Sequence, residues 1–196
     1  SFHDKPDAMK AIVDTGAFAS VLCQYNLLDR ANEDAMAYAK SKGLGVIVMG
    51  PVGGGRLGAP SKVIQKLLPR KAASSAEIAL RFVLSNPSVD CALSGMSALE
   101  HVDENVTVAA NAAPLSAAEH ARIRAAMDEL KHLAQLYCTG CRYCLPCPQD
   151  VNIPVIFEAM NYYRVYGLLE AARNRYRGIG GWQAKGKNAA ACVNCG

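Results

Sequence analysis

An α/β fold with a parallel sheet, followed by a small and mostly helical unit, is predicted by three features of the sequence. Short, continuously apolar runs such as "LGVIVMG" alternate with stretches of helical apolar spacing such as "NEDAMAYAKSKG". The connections between them are short, and strands that are apolar at every position belong to sheets covered by helices on both faces. From about residue 135 the composition changes: strand-like runs stop, and six cysteines fall within the last 59 residues.

Taken in order, "SFHD" reads as the tail of a strand entering a helix cap. Asp4 is placed to cap a helix with Pro6 in its first turn, running to the Gly16 region. "SVLCQYN" is a buried strand, "NEDAMAYAKSKG" a helix stopped by Gly43, and "LGVIVMG" the next strand. After the glycine-rich "GPVGGGRLG" come a short helix near 61–68 and a longer one, "SSAEIALRFVLSN", with Ser74 and Glu77 as a capping box. "VDCALSG" is a third strand. Ser97 with Glu100 suggests the box opening the helix "ALEHVDENVTVAAN", and Ser116 with Glu119 opens a long amphipathic helix that ends at the cysteine cluster. Beyond it, "PVIFEAMNYYRVYG" and "LLEAARNRYR" read as two helices, with Pro154 in the first turn of the former and Gly167 between them. Periodicity leaves open whether the sheet is doubly wound or part of a (β/α)8 barrel.

The balance of 51% hydrophobic and 19% charged residues in 196 is that of a globular protein with one good core or two small domains. No run of eighteen apolar residues and no signal-peptide pattern appears, so a cytoplasmic protein without a membrane association is expected. A net charge of +4, spread along the chain, gives nucleic-acid binding little support. The opening on "SFHD" and the close on "ACVNCG" are expected of an interior piece of a longer protein.

Chemistry concentrates in "CTGCRYCLPCP". Cys138, Cys141, Cys144 and Cys147 stand three apart, with Pro148 behind the last, and Cys192 and Cys195 form a second pair. Disulfides suit neither the expected compartment nor a run of thiols so closely spaced. Structural zinc takes two Cys-x-x-Cys pairs well separated in sequence, whereas a consecutive C-x2-C-x2-C wraps a 4Fe-4S cubane. In two-cluster ferredoxins the proline-followed cysteine ligates the other cluster. Cys147 would then join Cys192, Cys195 and further thiols at a second cluster, the fallback being one cluster on all four of the first run. Cys23 and Cys91, each alone in an apolar strand, read as small buried hydrophobes.

The residues "SFHD", "CQYNLLDR", "GLGVIVMGPVGGGRLG" and "CALSGMSALEHVDENV", followed by "CTGCRYCLPCPQDVNIP", resemble the aldo/keto reductase family, in its branch with a C-terminal ferredoxin-like 4Fe-4S domain. The resemblance implies that residues 1–134 are the C-terminal half of a (β/α)8 TIM barrel, strands five to eight plus a C-terminal helix. Residues 135–196 would be a truncated 4Fe-4S ferredoxin-like domain. Active sites of such barrels lie at the C-terminal ends of the strands. By this resemblance Ser1 and Gln24 hold the nicotinamide carboxamide, and Pro51, Val52 and Gly53 lie along the pyrophosphate. Gly95, Ser97, His101, Glu104 and Asn105 take the adenosine end. Met49 stands where the family often stacks an aromatic on the nicotinamide, and Ala98 where it has an arginine for the 2′-phosphate, so the cofactor is NAD or NADP. The catalytic Asp, Tyr, Lys and His would lie upstream of Ser1. His3 reads as a loop residue rather than a proton donor.

What the resemblance implies is an oxidoreductase that joins nicotinamide-dependent carbonyl or alcohol chemistry to 4Fe-4S electron transfer, acting on a small molecule with a redox partner protein. Hydride carries two electrons and a cluster takes one, so coupling needs a converter such as a flavin on that partner. The alternative is an iron-sulfur relay or assembly module on a barrel without reductase activity.

Overall fold

A computed structural model describes residues 1–68, 74–111, 114–138 and 141–195. Its first helix, α1 (Pro6–Asp14), has Pro6 at N1 and Lys5 as the extended residue before it. The expected Asp4 cap is displaced: Asp4 Oδ1 accepts from the amide of its neighbour Lys5 at 2.7 Å, outside the helix. Met9 and Val13, four apart, turn α1 onto the core.

Three strands follow, β1 (Ser20–Gln24), β2 (Gly45–Met49) and β3 (Cys91–Leu93), with α2 (Glu33–Ser41) between the first two. Helices α3 (Lys62–Gln65) and α4 (Ser75–Leu84) lie between the last two. They form one parallel sheet in the order β1-β2-β3. The register pairs Gln24 with Met49 and Met49 with Leu93, so the carboxyl ends of all three strands reach one edge. Upstream, the Phe2 amide donates to the Leu22 carbonyl at 2.7 Å, so residues 1–2 run beside β1 as the tail of a preceding strand would.

The stretch "SVLCQYN" leaves the ladder two residues early. Asn26 turns the chain, its Oδ1 accepting from the amides of Leu28 (2.9 Å) and Asp29 (3.0 Å). Cys23 is fully buried as expected, but Cys91 is exposed. The reason is position: among the described residues β3 is an edge strand, and its Leu93 is exposed as well, as are Leu99, to 79%, and Val106 of the following helix.

Ser74 Oγ caps α4 by accepting from the Glu77 amide at 3.0 Å. Helix α5 (Leu99–Asn111) starts one residue later than a Ser97 cap would place it. The reciprocal Ser116–Glu119 box opens α6 (Ala117–Tyr137). Asn152 caps α7 (Ile153–Arg164) through the Val155 amide, and Gly167, at φ +64, reverses the chain into α8 (Leu169–Arg177). A short 3-10 turn, Ala189–Ala191, precedes Cys192.

An apolar core among the described residues runs from β1 and β2 through Phe82 of α4 and Ile123 and Met127 of α6 to Leu168. The α7–α8 hairpin is therefore fastened to the sheet region: Ser61 Oγ donates to the Tyr166 carbonyl at 2.7 Å, and Asn161 Nδ2 to that of Ala134 at 3.2 Å. Among the described residues no helix is long and apolar enough to cross a membrane.

Candidate functional site

The edge where the strands end gathers Gln24, Met49 and the loop that follows β2. A Cβ built on Gly50 would stand 2.8 and 2.9 Å from the amide nitrogen and oxygen of Gln24, and Gly50 has φ +63. Only glycine leaves that space, so the Gln24 carboxamide rests directly on backbone. Asn26, fully buried, locks the two strand ends together by donating from Nδ2 to the Gly50 carbonyl at 3.0 Å. Asn32, just before α2, turns its side chain away from the helix and donates to the Gln24 carbonyl at 3.0 Å. Its Oδ1 is buried without a hydrogen-bond partner among the described residues.

Beneath this edge lies Tyr25. Its hydroxyl donates to Glu33 Oε1 (3.2 Å) and accepts from Asn86 Nδ2 (3.1 Å), while Arg124 pairs with Glu33 at 2.5 Å. Burial, ahead of the nearby Glu33 carboxylate, pushes the Tyr25 phenol well above its ordinary range, so it remains a proton-bearing structural link.

The glycine-rich loop is a chain of tight turns. Gly53 N donates to Gly50 O at 2.8 Å, Leu57 N to Val52 O at 3.1 Å, and Gly58 N to Gly55 O at 3.0 Å. Pro51 and Gly53 are buried, while Gly54 and Gly55 are exposed. Arg56 folds back over Gly53, Nε to its carbonyl at 2.5 Å, and its Nη1 donates to the Tyr162 hydroxyl of α7 at 2.7 Å.

The other residues expected at the site are placed as follows. Ser1 precedes the Phe2 amide that donates to the Leu22 carbonyl, and it lines a cavity with Phe18, Ser20 and Leu22. Gly95 and Ser97 are exposed beyond β3, and His101 is exposed on α5. Asn105 donates to Ser94 Oγ at 3.1 Å, and Glu104 accepts from Ser74 Oγ at 2.7 Å. Glu104 and Asn105 therefore brace α5 against its surroundings.

Among the described residues the six cysteines assigned as ligands form no metal-holding group of three or more. Cys138 and Cys147 are half-buried, whereas Cys141, Cys144, Cys192 and Cys195 are exposed. Among the described residues no three His, Cys, Asp or Glu side chains are arranged to hold a metal ion. A parallel bridge joins Val151 to Lys187, between Cys147 and Cys192 in sequence.

Three residues of the site escaped the sequence reading: Asn26, Asn32 and Arg56. Asn26 carries a usable signal, since an asparagine closing an apolar strand is a common turn former. Arg56 carries another, as the only charged residue in "GPVGGGRLG". Asn32 looks like an ordinary helix cap, and nothing in the sequence distinguishes its second use.

The aldo/keto reductase family profile matches residues 5–128. An uncharacterized oxidoreductase of Schizosaccharomyces pombe, C215.11c, is 32% identical over 90 residues, which is 46% of this chain and 29% of that protein. Among solved structures, the aldo-keto reductase AKR11C1 from Bacillus halodurans, in holo and in apo form, matches with a TM-score of 0.54 and 27% identity. Each match covers 63% of this chain and 48% of that one. The chain spans less than half the length of each of these proteins.

Proposed function

This chain belongs to the aldo/keto reductase family, and on that premise we propose that the Gln24–Met49–Gly50 edge takes the nicotinamide part of NAD or NADP in an oxidoreductase acting on small carbonyl or alcohol compounds. The observation that carries the reading is the Gln24 carboxamide lying where a Cβ on Gly50 would stand. A primary amide sets an N–H donor beside a carbonyl acceptor in one plane, which is what a second carboxamide requires. Asn32 and Asn26 hold that plane from behind, one through the Gln24 carbonyl and the other through the Gly50 carbonyl. The buried, glycine-bearing turn at Pro51–Gly53 suits close approach of backbone amides to phosphate oxygens. Gly95, Ser97, His101, Glu104 and Asn105 would serve the adenosine end, and Ser1 would assist Gln24. The bound dinucleotide supplies hydride chemistry, and the residues of this chain orient it.

The test is nucleotide binding by the full-length protein. Gln24→Leu, which keeps the bulk and removes the amide, is expected to weaken NADPH or NADH binding about ten- to hundredfold by fluorescence titration. Equal affinity of the variant and the parent protein would overturn the reading.

A second reading concerns the cysteine segment, and its support is the donor set: four thiols in ten residues, followed by Pro148. Thiolates in such a run suit a 4Fe-4S cluster, with Cys192 and Cys195 available for another, and coupling would then run to a redox partner. Among the described residues no three of these thiols are arranged to hold a metal, and no step of the proposed chemistry passes through them. Iron and acid-labile sulfide in stoichiometric amounts in anaerobically purified protein would support a cluster; zinc without sulfide would exclude it. Clusters in a protein that binds no nucleotide would favour the relay alternative.

A further inference from the structure

We propose that Arg56, Tyr162, Glu158 and Arg175 form a positioning chain by which the α7–α8 hairpin holds the glycine-rich loop in its binding shape. The proposal rests on the nucleotide-site reading above. It assigns a role to α7 and α8, which lie outside the residues 5–128 matched by the family profile.

The contacts are continuous. Arg56 Nε donates to the Gly53 carbonyl at 2.5 Å and Nη1 to the Tyr162 hydroxyl at 2.7 Å, with the guanidinium 5.6 Å from the ring centroid. The Tyr162 hydroxyl in turn donates a hydrogen bond to Glu158 Oε1 at 2.8 Å. Glu158 Oε2 accepts from Arg175 Nε at 2.9 Å and Nη2 at 2.8 Å. Each hydroxyl and carboxylate oxygen in the chain thus has a defined donor or acceptor. Burial, partly offset by Arg56, raises the Tyr162 phenol above its ordinary range, so it keeps the proton it donates.

The loop needs such an anchor. Gly50, Gly53, Gly54 and Gly55 all have positive φ, and glycine loses more conformational freedom on ordering than any other residue. A flexible loop would charge that ordering against nucleotide affinity, whereas one fixed beforehand does not. Arg56 is the single charged side chain of the loop, and it points into α7 instead of toward solvent. The same four side chains border a cavity of about 470 Å³ between Gly54–Gly55 and the hairpin, so the chain of contacts crosses a gap that packing leaves open. Arg175 also borders a second cavity, which Cys147 lines as well.

The experiment compares Tyr162→Phe, Glu158→Gln and Arg56→Lys in the full-length protein, with Arg173→Ala as control. Arg173 pairs with Glu170 on the same α8 at 2.7 Å but stands outside the chain. Two quantities are read: amide hydrogen exchange at residues 53–58, and the Kd for NADPH and NADH. Faster loop exchange, by about tenfold, with α7 and α8 amides unchanged is expected for the three variants and not for the control. Nucleotide Kd should rise about three- to thirtyfold, and Arg56→Lys combined with Tyr162→Phe should be no worse than the stronger single change. Unchanged exchange in the loop, or an equal effect of Arg173→Ala, would overturn the proposal. If the parent protein binds neither nucleotide, the reading of the strand-end site fails, and the exchange comparison still decides whether the hairpin holds the loop.

Discussion

Asn26 offers the sharpest test of how the strand ends are held. Its side chain is fully buried and makes three hydrogen bonds: to the Gly50 carbonyl, and from the amides of Leu28 and Asp29. Asn26→Ala removes all three, yet the groups left behind are not equally stranded. The Gly50 carbonyl keeps the Gly53 amide at 2.8 Å, and the Asp29 amide keeps the residue 26 carbonyl at 3.2 Å. The Leu28 amide alone loses the partner described for it. Two net hydrogen bonds at about 1 kcal/mol each, plus part of the penalty for one partly buried donor, give a loss of about 2–4 kcal/mol. For a chain of this size that corresponds to roughly 4–15 °C in Tm, or to a clear fall in the urea midpoint at constant m. Asn26→Asp separates the two ends: it keeps the acceptor for Leu28 and Asp29 but presents a carboxylate to the Gly50 carbonyl. It should retain the turn and disturb the loop, with the exchange of residues 50–53 rising more than that of 28–29. A loss below about 0.5 kcal/mol for Asn26→Ala would refute the reasoning, because it would mean that the β1–β2 edge is set by packing alone.

Two further outcomes are expected. His120 stacks on Phe82 with ring centroids 4.5 Å apart, its Nε2 is buried without a partner among the described residues, and burial lowers its pKa below the usual 6.5. The unfolded chain therefore binds the extra proton first, so stability is complete above about pH 6.5 and falls as the pH drops below it; Glu33, Arg124 and Arg30 surround the ring, and His120→Phe should flatten this slope in urea titrations, whereas an unchanged slope would assign it elsewhere. Cys23 is 0% exposed and burial pushes its thiol up to about 11, so in native protein it should alkylate at least about a hundredfold more slowly than the exposed Cys91, and mass spectrometry showing equal labelling would contradict the packing of β1.

Much of this arrangement is legible in the residues. Serine caps and apolar runs place α4, α6 and the strands, since Ser74 and Ser116 satisfy local amides whatever lies beyond them. Gly167 marks the turn of the hairpin for the same local reason. Gln24 and the Pro51–Gly53 loop are found by resemblance, and the parallel register sets Gln24 beside Met49, at the head of that loop. What escapes is settled by distant neighbours. Cys91 looks buried because its run is apolar, yet no fourth strand among the described residues covers β3. Ser97 looks like a cap, but α5 begins at Leu99. Asn32 carries no mark of its bond to Gln24, and the Arg56–Tyr162 contact joins residues whose meeting no local pattern encodes. The cysteine run is plain in sequence, while its spacing along the chain does not fix where the thiols stand in space.

The span of that last contact bears on the order in which the protein assembles. Arg56 and Tyr162 are 106 positions apart, whereas the first rung of β1 on β2, Ser20 to Gly45, closes only 25. Loop closure grows with the logarithm of length, so the longer closure costs about 1 kcal/mol more in chain entropy and has fewer contacts to offset it at the outset. The sheet should therefore form before the hairpin docks, an order that pulse-labelled refolding with loop amides protected ahead of β1 and β2 would reverse. On a ribosome the same delay is enforced by synthesis, because α7 emerges long after the strands. The glycine-rich loop would then take its final shape only when nearly all of this chain has been made, and a molecule interrupted before α7 would have a formed sheet and a loop still without its anchor.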